Sequence, residues 1–220
     1  MKSYHFTQII FTLFALFIAT QARAEQWYQV ELVVFEQLNT YSDEQWPFTK
    51  IVEADLNPTM ANAYIQPAQT HSLTNVVGNL NRSAGYRVHY YQAWQQPMLS
   101  RGRSQSIEVK SNDGFISGSI QLYKATYLHA KLDLWMMENP TSLNSWSDVT
   151  PEGVDIDAPR NPHLDQSQRI RSKKIYLFDH PKFGALLELT PVATPEAAQV
   201  GIDQLESFSL PTEAAPTVSE

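Results

Sequence analysis

The sequence predicts an α+β fold built mainly of antiparallel sheet, with about seven strands and one or two helices. Two observations carry this prediction. Apolar and polar residues alternate at period two through much of the chain, which is the spacing of a strand with one buried face. Helical spacing of apolar residues is clear in a single stretch, so helix is the minor component. A chain of 220 residues that is 43% hydrophobic has enough apolar material for one core.

The strongest strand signal is the segment 128–136. Its apolar residues point one way, whereas His129, Lys131, Asp133 and Trp135 point the other. Similar alternation predicts the remaining strands at 28–35, 87–94, 107–110, 116–123, 174–178 and 184–189. The sequence therefore predicts a sheet whose strands are each buried on one side.

Two local signals separate these strands. A helix is predicted from Ser72, as its N-cap, to about Ser83, with Gly85 closing it. Its apolar residues recur at helical spacing: Leu73, Val76, Val77 and Leu80. The residues Asn112, Asp113 and Gly114 predict a hairpin turn between the third and fourth strands.

Residues 1–24 have the pattern of a secretory signal peptide. The apolar run 9–19 is too short to span a bilayer as a helix, and Ala22 and Ala24 supply the small residues of a cleavage site. We expect a mature chain from Glu25, in the periplasm, with no stable membrane span after cleavage. Left uncleaved, the same segment would be a short membrane anchor.

The mature chain is predicted to be one α+β domain at 25–191 followed by a tail. Residues 192–220 carry five acidic residues and no basic ones, with little apolar density, so we expect a disordered acidic tail. Residues 139–163 contain four prolines and predict a long loop.

Composition and missing motifs exclude several functions. The formal charge of −7 disfavours nucleic acid as a partner, and the absence of cysteine excludes disulfides and thiolate metal sites. The sequence has no GxSxG, HExxH, Walker loop or GxGxxG motif. No short histidine pair offers a local chelate, so we predict a protein that is not an enzyme and needs no cofactor or metal.

Cationic and aromatic side chains recur where the alternation predicts solvent. Flat rings offer apolar contact to sugars, and fixed cations bind carboxylates, which suits an acidic polymer of glycan and peptide. We expect these side chains to converge on one exterior surface; packing at the rim of the core is the alternative interpretation. The candidate ligand-binding residues are Arg87, His89, Tyr91, Trp94, His129, Lys131, Trp135, Arg169 and Arg171.

Five segments, taken in order, resemble the CsiV family of periplasmic peptidoglycan-binding proteins. They are WYQVELVVFE (27–36), EQWP (44–47), YRVHYYQAWQQP (86–97), YLHAKLDL (127–134) and RIRSKKIYLFDHPKFG (169–184). The resemblance implies non-catalytic binding of peptidoglycan. It also implies support of a class A penicillin-binding protein through that synthase's lipoprotein activator, LpoA. It implies no particular ligand residues.

Two other functions remain open at this point. A cell-wall hydrolase would need a metal-bound water or a carboxylate in a cleft, and the residues available for it are His89, His129, His180 and Asp179. An envelope interaction module would instead bind proteins through a sheet edge or the tail and would not bind glycan.

Overall fold

The computed structural model describes residues 25–50, 53–62, 64–138, 159–196 and 198. The expected signal peptide, most of the expected loop and most of the expected tail lie outside these residues. No helix among the described residues is long and apolar enough to cross a bilayer.

Nine strands and one helix make up the described part of the chain. In chain order they are β1 (Trp27–Gln37), β2 (Gln66–Pro67), α1 (Thr74–Arg82), β3 (Tyr86–Pro97), β4 (Ser106–Lys110), β5 (Ile116–Lys124), β6 (Leu128–Met136), β7 (His163–Ile170), β8 (Ile175–Asp179) and β9 (Phe183–Val192). The predicted antiparallel α+β class is confirmed, but the expected number of about seven strands is wrong, because β2 and β7 were not predicted.

The strands form two antiparallel sheets around one core. Sheet 1 has the order β2-β3-β1-β9-β8, and sheet 2 has the order β4-β5-β6-β7. A single buried cluster joins them, with Leu32 and Leu187 contributed by sheet 1 and Ile120 and Leu132 by sheet 2. The alternation seen in the sequence places one side of each sheet in this core and leaves the other side facing outward.

Glutamine side chains join the two sheets at β7 and β8. The Nε2 of Gln166 donates to the carbonyl of Asp179 at 2.8 Å, and that of Gln168 donates to the carbonyl of Leu177 at 3.1 Å. These bonds occupy carbonyl groups along the edge of β8. The two glutamines occupy positions on the core-facing side of β7. Because these positions are polar, the alternation that predicts a strand is absent, and β7 was not predicted.

A β-bulge changes the direction of side chains at the start of β3. Val34 pairs with Tyr90 and Phe35 with Val88, so His89 is an extra residue without its own partner on β1. An extra residue reverses the alternation on one side of the bulge. The side chains before and after His89 therefore do not follow one uninterrupted pattern.

A buried carboxylate from β1 caps α1. Leu73 occupies the N-cap position, where its side chain makes no capping hydrogen bond. The backbone N–H groups of Leu73 and Ser72 donate instead to Glu31, at 3.0 and 2.7 Å. Burial opposes the charged form of Glu31, but these donors outweigh it, and the pKa of the carboxyl is lowered. The prediction that Ser72 is the N-cap is therefore wrong.

The other end of α1 lies where it was predicted, near Ser83, but Gly85 does not close it. The helix ends at Arg82, and the N–H of Ser83 donates to the carbonyls of Asn79 and Leu80. Ser83 has extended backbone angles, and the described glycines with positive φ do not include Gly85. In contrast, the predicted hairpin turn is confirmed: β4 pairs with β5, and Gly114 has a φ of 77°.

Candidate functional site

Part of the predicted ligand-binding set lies together on sheet 2. His129, Lys131 and Trp135 share the outward side of β6, opposite the core residues of that strand. Arg169 on β7 pairs directly with His129. Arg171 follows in the exposed turn after β7. The sheet therefore brings four of the candidates onto one outer face, with the fifth at its end.

Two aromatic candidates lie elsewhere. Trp94 has no exposed surface: it is in the core, and its indole N–H donates to Gln96 at 2.8 Å. Tyr91 lies on the outer side of sheet 1, where its hydroxyl donates to Glu31 at 3.0 Å beneath the start of α1. The expectation that these two rings join the sheet 2 residues on one surface is wrong, because they occupy different sides of sheet 1.

Arg87 and His89 are also separate from the sheet 2 residues. The His89 side chain is 2% exposed and lies 3.1 Å from Glu36 and 2.6 Å from Asp113. Each ring nitrogen faces a carboxylate oxygen, so only the doubly protonated imidazolium donates to both. Burial opposes the charge on Asp113, but hydrogen bonds from His89 and Ser111 outweigh it and lower the pKa of this carboxyl. Arg87 lies 3.8 Å from Glu36, so the bulge directs both candidates to this ion cluster.

The outer face of sheet 2 carries a set of stacked rings and cations at one end. The rings of Tyr123 and His129 stack at 5.1 Å with an interplanar angle of 5°. The Arg101 guanidinium lies 5.5 Å from the centre of the Tyr123 ring, and that of Arg169 lies 3.2 Å from the centre of the Tyr127 ring. We call these five residues, Arg101, Tyr123, Tyr127, His129 and Arg169, the cation–aromatic cluster.

The two guanidinium groups of the cluster are not paired with a carboxylate among the described residues. Among the described residues, no carboxylate lies within 4.0 Å of Arg101 or Arg169. Stacking on a tyrosine ring holds a guanidinium in place without neutralising it. Lys131, in the middle of the face, is 4.0 Å from Asp165, and both side chains are about half exposed, so this pair is weak.

The opposite end of the face is more enclosed. Trp135 stacks on His163 with ring centres 3.8 Å apart, and His163 lies 2.8 Å from Asp133. Trp135 is only 4% exposed. It therefore shares the outer face of sheet 2 but offers little ring surface to a ligand.

Three members of the cluster were not predicted from the sequence: Arg101, Tyr123 and Tyr127. Tyr123 had a usable signal, because it is the last outward position of β5 and pairs with His129 across a short hairpin. Arg101 and Tyr127 lie outside the strands, where no period-two alternation indicates which way a side chain points. Their contacts depend on how the turns fold over the sheet.

The residues proposed for a hydrolase have separate partners. His129 stacks on Tyr123, whereas His180 contacts the rings of Trp46 and Phe183. Burial, as the main cause, lowers the pKa of His180. Within the described residues, no group of three or more potential metal ligands is placed to hold an ion.

The fold and this face define a class of protein before any comparison. Two antiparallel sheets present stacked rings beside guanidinium groups that have no carboxylate partner among the described residues, a surface chemistry suited to acidic, ring-containing polymers. A family model described as "Peptidoglycan-binding protein, CsiV" matches residues 6–192. The chain therefore belongs to the CsiV family, as its sequence segments indicated. Searches of curated proteins and of solved structures found no significant match.

Proposed function

We propose that this protein is a non-catalytic periplasmic protein that binds peptidoglycan through the cation–aromatic cluster. The family match supports peptidoglycan as the ligand. The observation that carries the choice of surface is the pair of guanidinium groups, on Arg101 and Arg169, which are stacked on tyrosines and have no carboxylate within reach among the described residues.

The chemistry of the cluster matches that of the polymer. Peptidoglycan combines sugar rings with peptide carboxylates. A guanidinium accepts a carboxylate through two parallel hydrogen bonds, and a tyrosine ring provides a flat apolar surface for a sugar. Tyr127 is 48% exposed, so part of its ring is accessible. Arg171, exposed in the turn after β7, adds a further positive charge at the same end of the face.

Co-sedimentation with purified sacculi tests this surface. The Arg101→Gln/Arg169→Gln double variant should leave most of the protein in the supernatant under conditions in which the parent pellets. Since each charged hydrogen bond contributes about 1.5–3 kcal/mol, loss of two contacts predicts a decrease in affinity of at least about 100-fold.

The matched control changes the same amount of charge elsewhere. Lys50→Gln/Arg82→Gln removes two exposed cations outside the cluster and should pellet like the parent. Thermal melts verify that both double variants are folded. If the cluster variant pellets like the parent, or if both variants lose binding equally, the cluster is not the binding surface.

We further propose that binding supports a class A penicillin-binding protein through an LpoA-type lipoprotein activator. Only the resemblance to the family supports this role. Affinity capture from envelope extracts, using the parent and the Arg101→Gln/Arg169→Gln variant, tests it. Recovery of the lipoprotein by both would support a link that does not depend on the cluster, and failure of both to recover it would contradict the proposal.

The periplasmic location rests on the signal-peptide pattern of residues 1–24 and on the family description. Osmotic-shock fractionation of cells tests it. The protein should appear in the shock fluid with a mature N-terminus at Glu25; retention of the full-length chain in the membrane fraction would favour an anchor instead.

A further inference from the structure

A cavity of about 340 Å³ opens between β3 of sheet 1 and β4 of sheet 2, next to the point where Leu56 pairs with the edge of β4. Tyr90 and Gln92 of β3 line one side, Glu108 and Lys110 of β4 line the other, and the loop at Asn57 lines a third. Sheet 1 is open here because the two residues of β2 cover β3 only at positions 94 and 95. None of its lining residues belongs to the cation–aromatic cluster, although Glu108 and Lys110 point to the same outer side of sheet 2.

The cavity is lined by two opposite charges that do not pair with each other. Glu108 and Lys110 are two positions apart on β4, about 7 Å along a strand. One oxygen of Glu108 accepts a hydrogen bond from Asn57 at 2.9 Å. Within the described residues Lys110 makes no ion pair, and neither charge is neutralised by the other.

A buried hydroxyl without a partner belongs to the same cavity wall. Tyr90 is 5% exposed, and its hydroxyl makes no hydrogen bond to any described residue. Buried polar groups are nearly always hydrogen-bonded, so such a group marks a place where a partner is missing. Burial first, and the charge of Glu108 second, raise the pKa of Tyr90 well above its usual range. The phenol therefore stays protonated and can donate.

We infer that this cavity binds a free amino acid end group, with its ammonium facing Glu108 and its carboxylate facing Lys110 and the Tyr90 hydroxyl. The volume is at the lower end of the roughly 300–1,000 Å³ typical of ligand sites, which suits one or two residues of a peptide. The Tyr90 hydroxyl is shielded from solvent in this conformation, so binding requires a lining side chain to move.

The identity of the ligand rests on the proposed function. Peptide stems of peptidoglycan that contain diaminopimelate carry an ammonium and a carboxylate on one carbon at the free end of that residue. This group has the two charges that the cavity leaves unpaired. The cavity would then recognise the peptide part of the polymer, while the cluster on sheet 2 binds its other carboxylates and sugars.

Calorimetric titration of the full mature protein with a soluble diaminopimelate-containing tetrapeptide tests the inference. The N-terminus of the peptide is blocked in both forms; acetylation of the side-chain amine of its diaminopimelate should then weaken binding about tenfold, because that ammonium loses its contact with Glu108. Glu108→Gln and Lys110→Met should each weaken binding of the unmodified peptide about tenfold, whereas Lys174→Met, an exposed lysine outside the cavity, should have no effect.

The pairing of ammonium with Glu108 gives the sharpest readout. In the Glu108→Gln variant, acetylation of the peptide should have no further effect, since the contact is already lost. Equal binding of the two peptides by the parent would overturn the inference, as would failure to bind either. If sacculi still pellet the parent in that case, the proposed function survives; if they do not, both proposals fail.

Discussion

The buried cap provided by Glu31 leads to the most specific stability prediction. Glu31 is 2% exposed and accepts hydrogen bonds from the backbone of Ser72 and Leu73 and from the hydroxyl of Tyr91. Glu31→Gln keeps the shape of the side chain, but it removes the charge. It also places an amide N–H group next to groups that are themselves hydrogen-bond donors. The variant should therefore lose stability without losing volume.

The size of the effect follows from the bonds that are changed. Loss of a helix cap costs about 1 kcal/mol, and loss of charge-assisted hydrogen bonds costs about 1.5–3 kcal/mol. We expect the free energy of unfolding to fall by about 2–3 kcal/mol at pH 7, or about 4–12 °C in Tm for a chain of this size. Differential scanning calorimetry of the mature protein measures this change.

The pH dependence provides a second, independent check. The pKa of Glu31 is lowered in the folded protein from its ordinary value of 4.5. Its contribution is therefore complete above that value and is lost as the pH falls through the folded-state pKa. The difference in stability between the parent and Glu31→Gln should be full at pH 7 and should shrink below about pH 4.5.

A neighbouring carboxylate offers the control. Glu188 pairs with Glu31 across the sheet and lies 2.7 Å from the Ser72 hydroxyl, but the backbone N–H groups of Ser72 and Leu73 donate to Glu31. Glu188→Gln should change the free energy of unfolding by less than about 0.5 kcal/mol. An unchanged Tm for Glu31→Gln, or a loss that is the same at pH 7 and pH 3, would refute the capping argument.

Two further predictions concern buried polar groups. Tyr90→Phe removes a hydroxyl that has no partner among the described residues, so the free energy of unfolding should rise by about 1 kcal/mol while affinity for the tetrapeptide falls. A less stable variant in urea titrations would mean that the hydroxyl is satisfied in the free protein. His89→Gln should cost about 2 kcal/mol, because it removes the ring nitrogens that contact Glu36 and Asp113. A urea midpoint equal to that of the parent would show that the two carboxylates do not depend on His89.

Most strands were predictable because their pattern is local. In the segment 128–136, alternation alone located β6 and showed which side is buried. β7 was not found because Gln166 and Gln168 occupy positions that face the core side, and their purpose becomes visible only beside β8. A residue whose side chain bonds to the edge of a strand in another sheet leaves no periodic signal in its own segment.

The candidate surface was predictable only in part for the same reason. His129 and Arg169 were expected to face outward, and they do, as a cross-strand pair. The direction of the His89 side chain was predicted wrongly, since the bulge between Val34 and Phe35 exists only in the pairing of β3 with β1. Arg101 joins the cluster because its loop passes over Tyr123, which no local pattern encodes.

The amino-acid sequence by itself determined the secondary-structure class, the alternation within each predicted strand and membership of the CsiV family. Tertiary structure alone decided which sheet each strand joined, which cations remained without carboxylates, and where the cavity between β3 and β4 opened. The physical reason is that burial of one strand face is recorded every second residue, whereas the neighbour of that face is chosen by pairing between segments far apart in the chain.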